Sequence, residues 1–178
     1  MSHQAWNLLI YRVPSQPSTQ RVYVWRKLKG WGGLYLQQSV CVLPQRHDLE
    51  QQLEQLKAEI ISGGGEADLL AIVISDETQV SSLIDRFQQQ ADQEYQEFLG
   101  RCQDFHQELE RERQIDNFSF AELDENEAEL TKLKSWLSKI HDRDLLEATG
   151  YSTAIAALKD CEQDFQRFSQ QVYKAQDL

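Results

Sequence analysis

EADLLAIVISDETQVSSLIDRFQQQADQEYQEFLG (Glu66–Gly100) contains the change of character on which the fold turns. Glu66–Ser75 is short, apolar and rich in β-formers, and reads as a strand. From Asp76 the chain runs without proline to about Ile115, and Ser75 or Asp76 is placed to cap a helix there. Its apolar positions are Val80, Ile84, Phe87, Ala91, Tyr95, Phe98, Cys102, Phe105 and Leu109. They advance in steps of three and four, which puts them on one helix face. A helix of that length with a single apolar stripe needs partners, and two further periodic runs supply them. These are Leu123, Leu130, Leu133, Leu137, Ile140 and then Ile155, Leu158, Cys161, Phe165, Phe168, Val172, with turns at Asp116–Ser119 and Asp142–Tyr151. The spacing predicts an antiparallel three-helix bundle domain over residues 77–178.

Upstream the signals alternate. Ala5–Val13 reads as a buried strand. Pro14, Ser15, Pro17 and Ser18 form a turn and helix start, with Ser15 or Ser18 as the cap. A helix follows over Thr19–Lys29, expected to bury Val22, Trp25 and Leu28 and to end at Gly30, Gly32 and Gly33. Leu34–Leu43 reads as a second strand region with a bulge or kink at Gln37–Gln38, leaving room for a short extra strand near Gln38–Pro44. Arg46–Ser62 places Leu49, Leu53, Leu56 and Ile60 at helical spacing and stops at Gly63-Gly64-Gly65. Those glycines follow a helix and precede a strand, the reverse of a phosphate-cradling loop. The order predicts an α+β chain with a ferredoxin-like antiparallel sheet domain over residues 1–76.

A chain of 178 residues with 40% apolar content can bury a core of its own. No run is long enough to span a membrane, and the start of the chain carries no secretory pattern. Cys41, Cys102 and Cys161 are odd in number and widely spaced, which fits free thiols. These features together predict a reduced, cytoplasmic protein that does not engage a membrane. Charge is unevenly spread. Met1–His47 carries six basic residues and no acidic one, while the remainder holds 12 basic and 29 acidic residues, a net of −17. A basic head on an acidic body points to an anion or polyanion site at the N-terminal end. Arg12, Arg21, Arg26, Lys27 and Lys29 are the expected contacts, and Trp25 is expected in the core.

Other chemistry is weakly signalled. Cys102 and His106 share a helix face, but Cys102 and Cys161 both fall in apolar stripes, where a free cysteine is a small core residue. His141, Asp142 and Asp144 in HDRD lack further ligands for a metal, and no nucleophile with an adjacent base is evident. The chain is therefore expected to be no enzyme, without a catalytic residue, cofactor or metal.

Several stretches resemble a known family. Trp6–Leu9 with IYRVPSQPSTQRVYVWRKLK (Ile10–Lys29), VCVLP (Val40–Pro44), KIHDRDLL (Lys139–Leu146) and QQVYKA (Gln170–Ala175) are similar to the N-terminal domain of the ChrB family. The family comprises chromate-resistance regulatory proteins implicated in sensing chromate and repressing an efflux operon. Many carry a further C-terminal domain, so the resemblance implies a stand-alone counterpart of the N-terminal part. More distantly, LLIYRVP (Leu8–Pro14) and LQQSVCVL (Leu36–Leu43) resemble the ferredoxin-fold nucleases of CRISPR spacer acquisition and a related repressor domain. There an aspartate at the end of the first strand holds metal. Arg12 stands at that position here, which implies no nuclease centre. The expected function is a chromate-resistance regulatory or accessory protein that binds DNA or a chromate-like oxyanion through the basic region. The expected state is a homo-oligomer. The alternative is a non-catalytic assembly protein that oligomerises or docks an acidic partner, with a metal-dependent enzyme ranked last.

Overall fold

The computed structural model describes residues 5–14 and 19–177; the expected cap at Ser15 or Ser18 and the helix start at Pro17 lie outside them. The chain is α+β. Its elements are β1 (Ala5–Arg12), α1 (Thr19–Gly30), β2 (Leu34–Gln37), β3 (Val40–Pro44), α2 (His47–Ser62), β4 (Glu66–Val73), α3 (Glu77–Gln114), α4 (Phe120–Arg143) and α5 (Gly150–Ala175). They form two compact units. The sheet unit is Met1–Phe87 with Asp142–Leu146, and the helical unit is Gln88–His141 with Glu147–Leu178. No helix among the described residues is long and apolar enough to cross a membrane.

In the sheet unit the strand order is β2-β3-β1-β4. β1 is central and pairs antiparallel with both β3 and β4. AWNLLIYR is apolar almost throughout: Leu9 and Tyr11 are buried on one face, while on the other burial falls from Trp6 through Leu8 to the exposed Ile10 and Arg12. Leu9, Tyr11 and Val13 point to one face, where Val24 and Leu28 of α1 and Leu49, Leu53, Leu56 and Ile60 of α2 cover them. Trp6 points to the other, with Leu34, Val42, Leu83 and Phe87. There the indole of Trp6 stacks on Phe87 at 5.7 Å and 19°. Leu53, Leu56 and Ile60 are all but inaccessible, and each such side chain contributes about 1.5–3 kcal/mol through burial.

One expectation is sharpened and one corrected here. Leu34–Leu43 divides into the hairpin strands β2 and β3, so the short extra strand allowed for near Gln38–Pro44 is Val40–Pro44, and the expected kink is the turn between them. Ser39 turns the chain with a left-handed φ of 61°, and its carbonyl accepts from the Tyr11 N–H at 3.0 Å. The irregularity falls in the pairing of Tyr35 and Gln37 with β3. On α1 the sheet takes Val24 and Leu28, while Val22, Tyr23 and Trp25 stay exposed. The helix offers two overlapping apolar faces, and the i, i+4 pair Val24–Leu28 is the one that meets the sheet.

In the helical unit one apolar cluster joins α3, α4 and α5. It includes Tyr95, Phe98, Phe105 and Leu109 of α3, Leu130, Leu137 and Ile140 of α4, and Cys161, Phe168 and Val172 of α5. Phe98 meets Trp136 edge to face at 5.7 Å. Asp76 caps α3, accepting the Thr78 N–H at 2.9 Å, as its side chain suits. At the start of α5 the buried position is Ala154, and Ile155 faces solvent.

Candidate anion-binding cleft

The sheet unit has a cleft of about 1030 Å³ at the C-terminal end of β1. β1 brings Tyr11 and Arg12 to its floor and rim, and Val13 and Pro14 extend it. α1 supplies Arg21, Val22, Trp25 and Lys29. Positions 21, 25 and 29 recur every four residues, so they line one helix face. The β2–β3 hairpin adds Tyr35, Gln37, Gln38 and Ser39, and the turn before β4 adds Gly64, Gly65 and Glu66. Gly64 has φ +81°, and a Cβ on Gly65 would lie 2.6 Å from the Arg12 carbonyl oxygen. Only glycine lets the β1 and β4 backbones approach this closely at that end of the cleft.

Trp25 is therefore not a core residue. It is half exposed and forms part of the cleft wall. An exposed indole beside two cations is a stacking surface more than a packing element.

The lining carries net positive charge. Arg12, Arg21 and Lys29 face a single carboxylate, Glu66, among the lining residues. Arg12 and Glu66 are register partners in the β1–β4 ladder and form an ion pair at 3.0 Å with both side chains largely exposed. A pair this open contributes little, about 1 kcal/mol or less, so an incoming anion can compete for Arg12. The Tyr11 and Tyr35 hydroxyls hydrogen-bond at 2.8 Å. Burial raises the pKa of both phenols, so they remain neutral hydrogen-bonding groups at the cleft floor.

The five cations expected from sequence thus separate. Arg12, Arg21 and Lys29 converge on the cleft, while Arg26 is exposed on α1 outside its lining. The Lys27 ammonium lies over the Tyr23 ring at 5.4 Å and the Trp31 ring at 5.9 Å. Tyr11, Tyr35 and Glu66 were not anticipated. The facing of Arg12 and Glu66 depends on strand register, which local sequence leaves open.

The remaining candidates lie elsewhere. His141 stacks on Tyr151 at 3.9 Å and 6°. His106 hydrogen-bonds Asp164 at 2.7 Å in the helical unit. Among the described residues no group of three or more His, Cys, Asp or Glu is arranged to hold a metal ion.

The family model described as "Protein ChrB, N-terminal" matches residues 21–178. The chain belongs to the ChrB N-terminal family. Protein ChrB of Cupriavidus metallidurans is 31% identical over 75 residues, which is 42% of this chain. The match spans 23% of that relative's length. The family match takes in most of α1, including Arg21, Trp25 and Lys29, and begins after Arg12.

Proposed function

We propose that this ChrB-family chain is a chromate-resistance regulatory or accessory protein that holds a tetrahedral oxoanion in the cleft of its sheet unit. The observation that carries the reading is the convergence of Arg12, Arg21 and Lys29 on one concavity beside Trp25. Guanidinium and ammonium groups bind tetrahedral oxoanions through charge-assisted hydrogen bonds, and arginine does so with two parallel donors. The shared chemistry is a tetrahedral oxoanion, singly charged in a phosphodiester and doubly charged in chromate. It can come from a nucleic-acid phosphate, whose neighbouring base stacks on Trp25, or from free chromate. The cleft volume matches a pocket for a discrete ligand, and its aromatic wall suits a base.

Two features of the fold support the architecture this reading assumes. The order β1-α1-β2-β3-α2-β4 with sheet order β2-β3-β1-β4 supports reading the sheet unit as a ferredoxin-like domain. The cluster shared by α3, α4 and α5 supports reading the helical unit as a three-helix bundle.

The test is fluorescence anisotropy of labelled DNA from the protein's own upstream region, at two salt concentrations, with and without chromate. Arg21→Ala and Lys29→Ala should each weaken binding by about tenfold and flatten the salt dependence by about 0.9 in log–log slope. Arg26→Ala should change affinity by less than about threefold. Salt-sensitive DNA binding released by chromate supports a chromate-responsive regulator. Chromate binding without DNA binding supports the accessory role. If neither ligand binds, or if Arg26 matters more than Arg21, the cleft is not the site.

A further inference from the structure

The helical unit contains a thiol cluster separate from the cleft and independent of the reading above. Cys161 and Cys102 are 0% and 3% exposed. The Cys161 Sγ lies 3.8 Å from the Cys102 carbonyl oxygen and 3.6 Å from the His106 Nε2. These contacts place the Cys161 thiol directly against residue 102 between α3 and α5. Behind the imidazole, His106 Nδ1 is 2.7 Å from Asp164 Oδ2. Arg113 in turn holds Asp164, donating to its Oδ1 at 2.8 Å and to its main-chain oxygen at 3.2 Å.

The protonation pattern follows from these contacts. An ionised carboxylate only accepts hydrogen bonds, so His106 Nδ1 carries hydrogen toward Asp164. In the neutral ring, Nε2 then presents a lone pair to the Cys161 S–H. The order thiol, imidazole, carboxylate is that of an activated nucleophile with an oriented base. The neighbouring Cys161 lowers the pKa of Cys102, while the Cys102 side chain and burial raise that of Cys161. His106 also marks the way in. It lines a surface groove of about 440 Å³ with Gln107, Glu110, Arg111 and Gln114, one side chain removed from the sulfurs.

We propose that Cys102 and Cys161 form a redox-active dithiol, oxidised by hydroperoxides to a disulfide that ties α3 to α5, with His106 as the base. The Cys102 thiolate attacks a peroxide oxygen; an S–O bond forms, the O–O bond breaks, and the departing alkoxide takes up a proton. Cys161 then attacks the Cys102 sulfur. Its proton passes through His106 Nε2 to the leaving hydroxide, the S–S bond forms and water departs. Two thiols and one hydroperoxide thus give one disulfide, one alcohol and one water, with two electrons passing from sulfur to oxygen. A hydroperoxide is small and neutral, so the acidic charge of the region does not repel it. Asp164 and Arg113 are positioning residues.

Cys41 serves as an internal control. It is fully buried in the sheet unit, and burial pushes its thiol up to about 12.

The experiment treats the full chain with hydrogen peroxide under non-reducing conditions, then measures intact mass, thiols titratable in denaturant, and linked peptides. The expected result is a loss of about 2 Da, a fall from three thiols to one, and a peptide joining Cys102 to Cys161. Cys41→Ser should leave the reaction unchanged. His106→Gln should slow it by about tenfold or more. In Cys161→Ser, a sulfenic acid should accumulate on Cys102, trappable by dimedone. Circular dichroism establishes that each variant is folded, and the wild-type mass measurement does not depend on them. Three thiols persisting in excess peroxide, a product at Cys41, or sulfinic acid without the linked peptide would each overturn the assignment. An unchanged rate in folded His106→Gln would overturn the role of the base.

Discussion

The sheet unit carries its charged and aromatic groups on an open cleft, whereas the helical unit has drawn a comparable set into its interior. Arg12 and Glu66 pair across solvent with most of both side chains exposed. Arg113 and Asp164 pair at 2.8 Å with only 19% and 10% of their side chains accessible. One aromatic residue from each unit shows the same contrast. Trp25 stands half exposed beside cations, while Phe98 is completely enclosed. The comparison shows that one residue type does different work according to which side of the solvent boundary the fold leaves it. Exposed groups remain available to a ligand. Enclosed groups must satisfy one another, and their protonation states are set by neighbours rather than by water.

The sharpest way to break this comparison is to truncate one aromatic on each side. Phe98→Ala should lower unfolding free energy by about 3–5 kcal/mol, since it removes a buried ring and leaves a cavity beside Trp136. Trp25→Ala should change it by less than about 1 kcal/mol, because half its surface is already wet. Urea unfolding of both variants checks this. A Trp25→Ala loss as large as that of Phe98→Ala would return Trp25 to the core.

That contrast also explains how much was legible in the sequence. The helical unit announced itself because a stripe kept over many turns, from Phe87 through Leu109, admits one buried face. α1 is only twelve residues long, and two apolar stripes overlap on it. Val22–Trp25–Leu28 and Val24–Leu28 both satisfy helical spacing, and only the position of the sheet decides between them. The hairpin was half visible, as Gln37-Gln38-Ser39 interrupts the apolar run, but Ser39 is not a residue that signals a left-handed turn strongly. The basic head was evident from charge counting. Which of its cations converge was not, because that depends on where α1 lies over β1. The relation of His106 to Asp164 spans 58 positions between two helices and left no local trace.

A second prediction concerns acid. Asp164 lies against His106 and Arg113, with Arg167 at 3.6 Å and Cys161 nearby. Burial works against its charged form, but the hydrogen bonds from His106 and Arg113 outweigh it and hold the carboxyl below its ordinary value. A folded-state pKa below the unfolded value means that this stability is present above about pH 4. It is lost as the pH falls through the depressed pKa and Asp164 takes up a proton. Asp164→Asn should therefore cost about 1–3 kcal/mol near neutrality, through a weakened partner for Arg113. The deficit relative to wild type should shrink as the pH falls below the ordinary carboxylate range. Urea midpoints measured from pH 6 down to pH 2 test the sign. A constant deficit would mean that the charge of Asp164 contributes nothing.

The smallest effect separates the two units most cleanly. Glu66 is the carboxylate that shares the cleft with Arg12, Arg21 and Lys29, and its pair with Arg12 is exposed. Glu66→Gln should alter folding stability by no more than about 1 kcal/mol, the range for solvent-screened pairs. The same change removes the negative charge that competes with an arriving oxoanion. Binding of DNA or chromate should therefore tighten, by about twofold to fivefold at low ionic strength, with the gain fading as salt is raised. Thermal melts and the anisotropy titration read the two consequences separately. A loss of affinity would show that Glu66 orients Arg12 for the ligand rather than competing with it. A loss of several kcal/mol in stability would show that the rim of the cleft behaves like the enclosed Asp164 cluster, and the distinction between the two units would then fail at its weakest point.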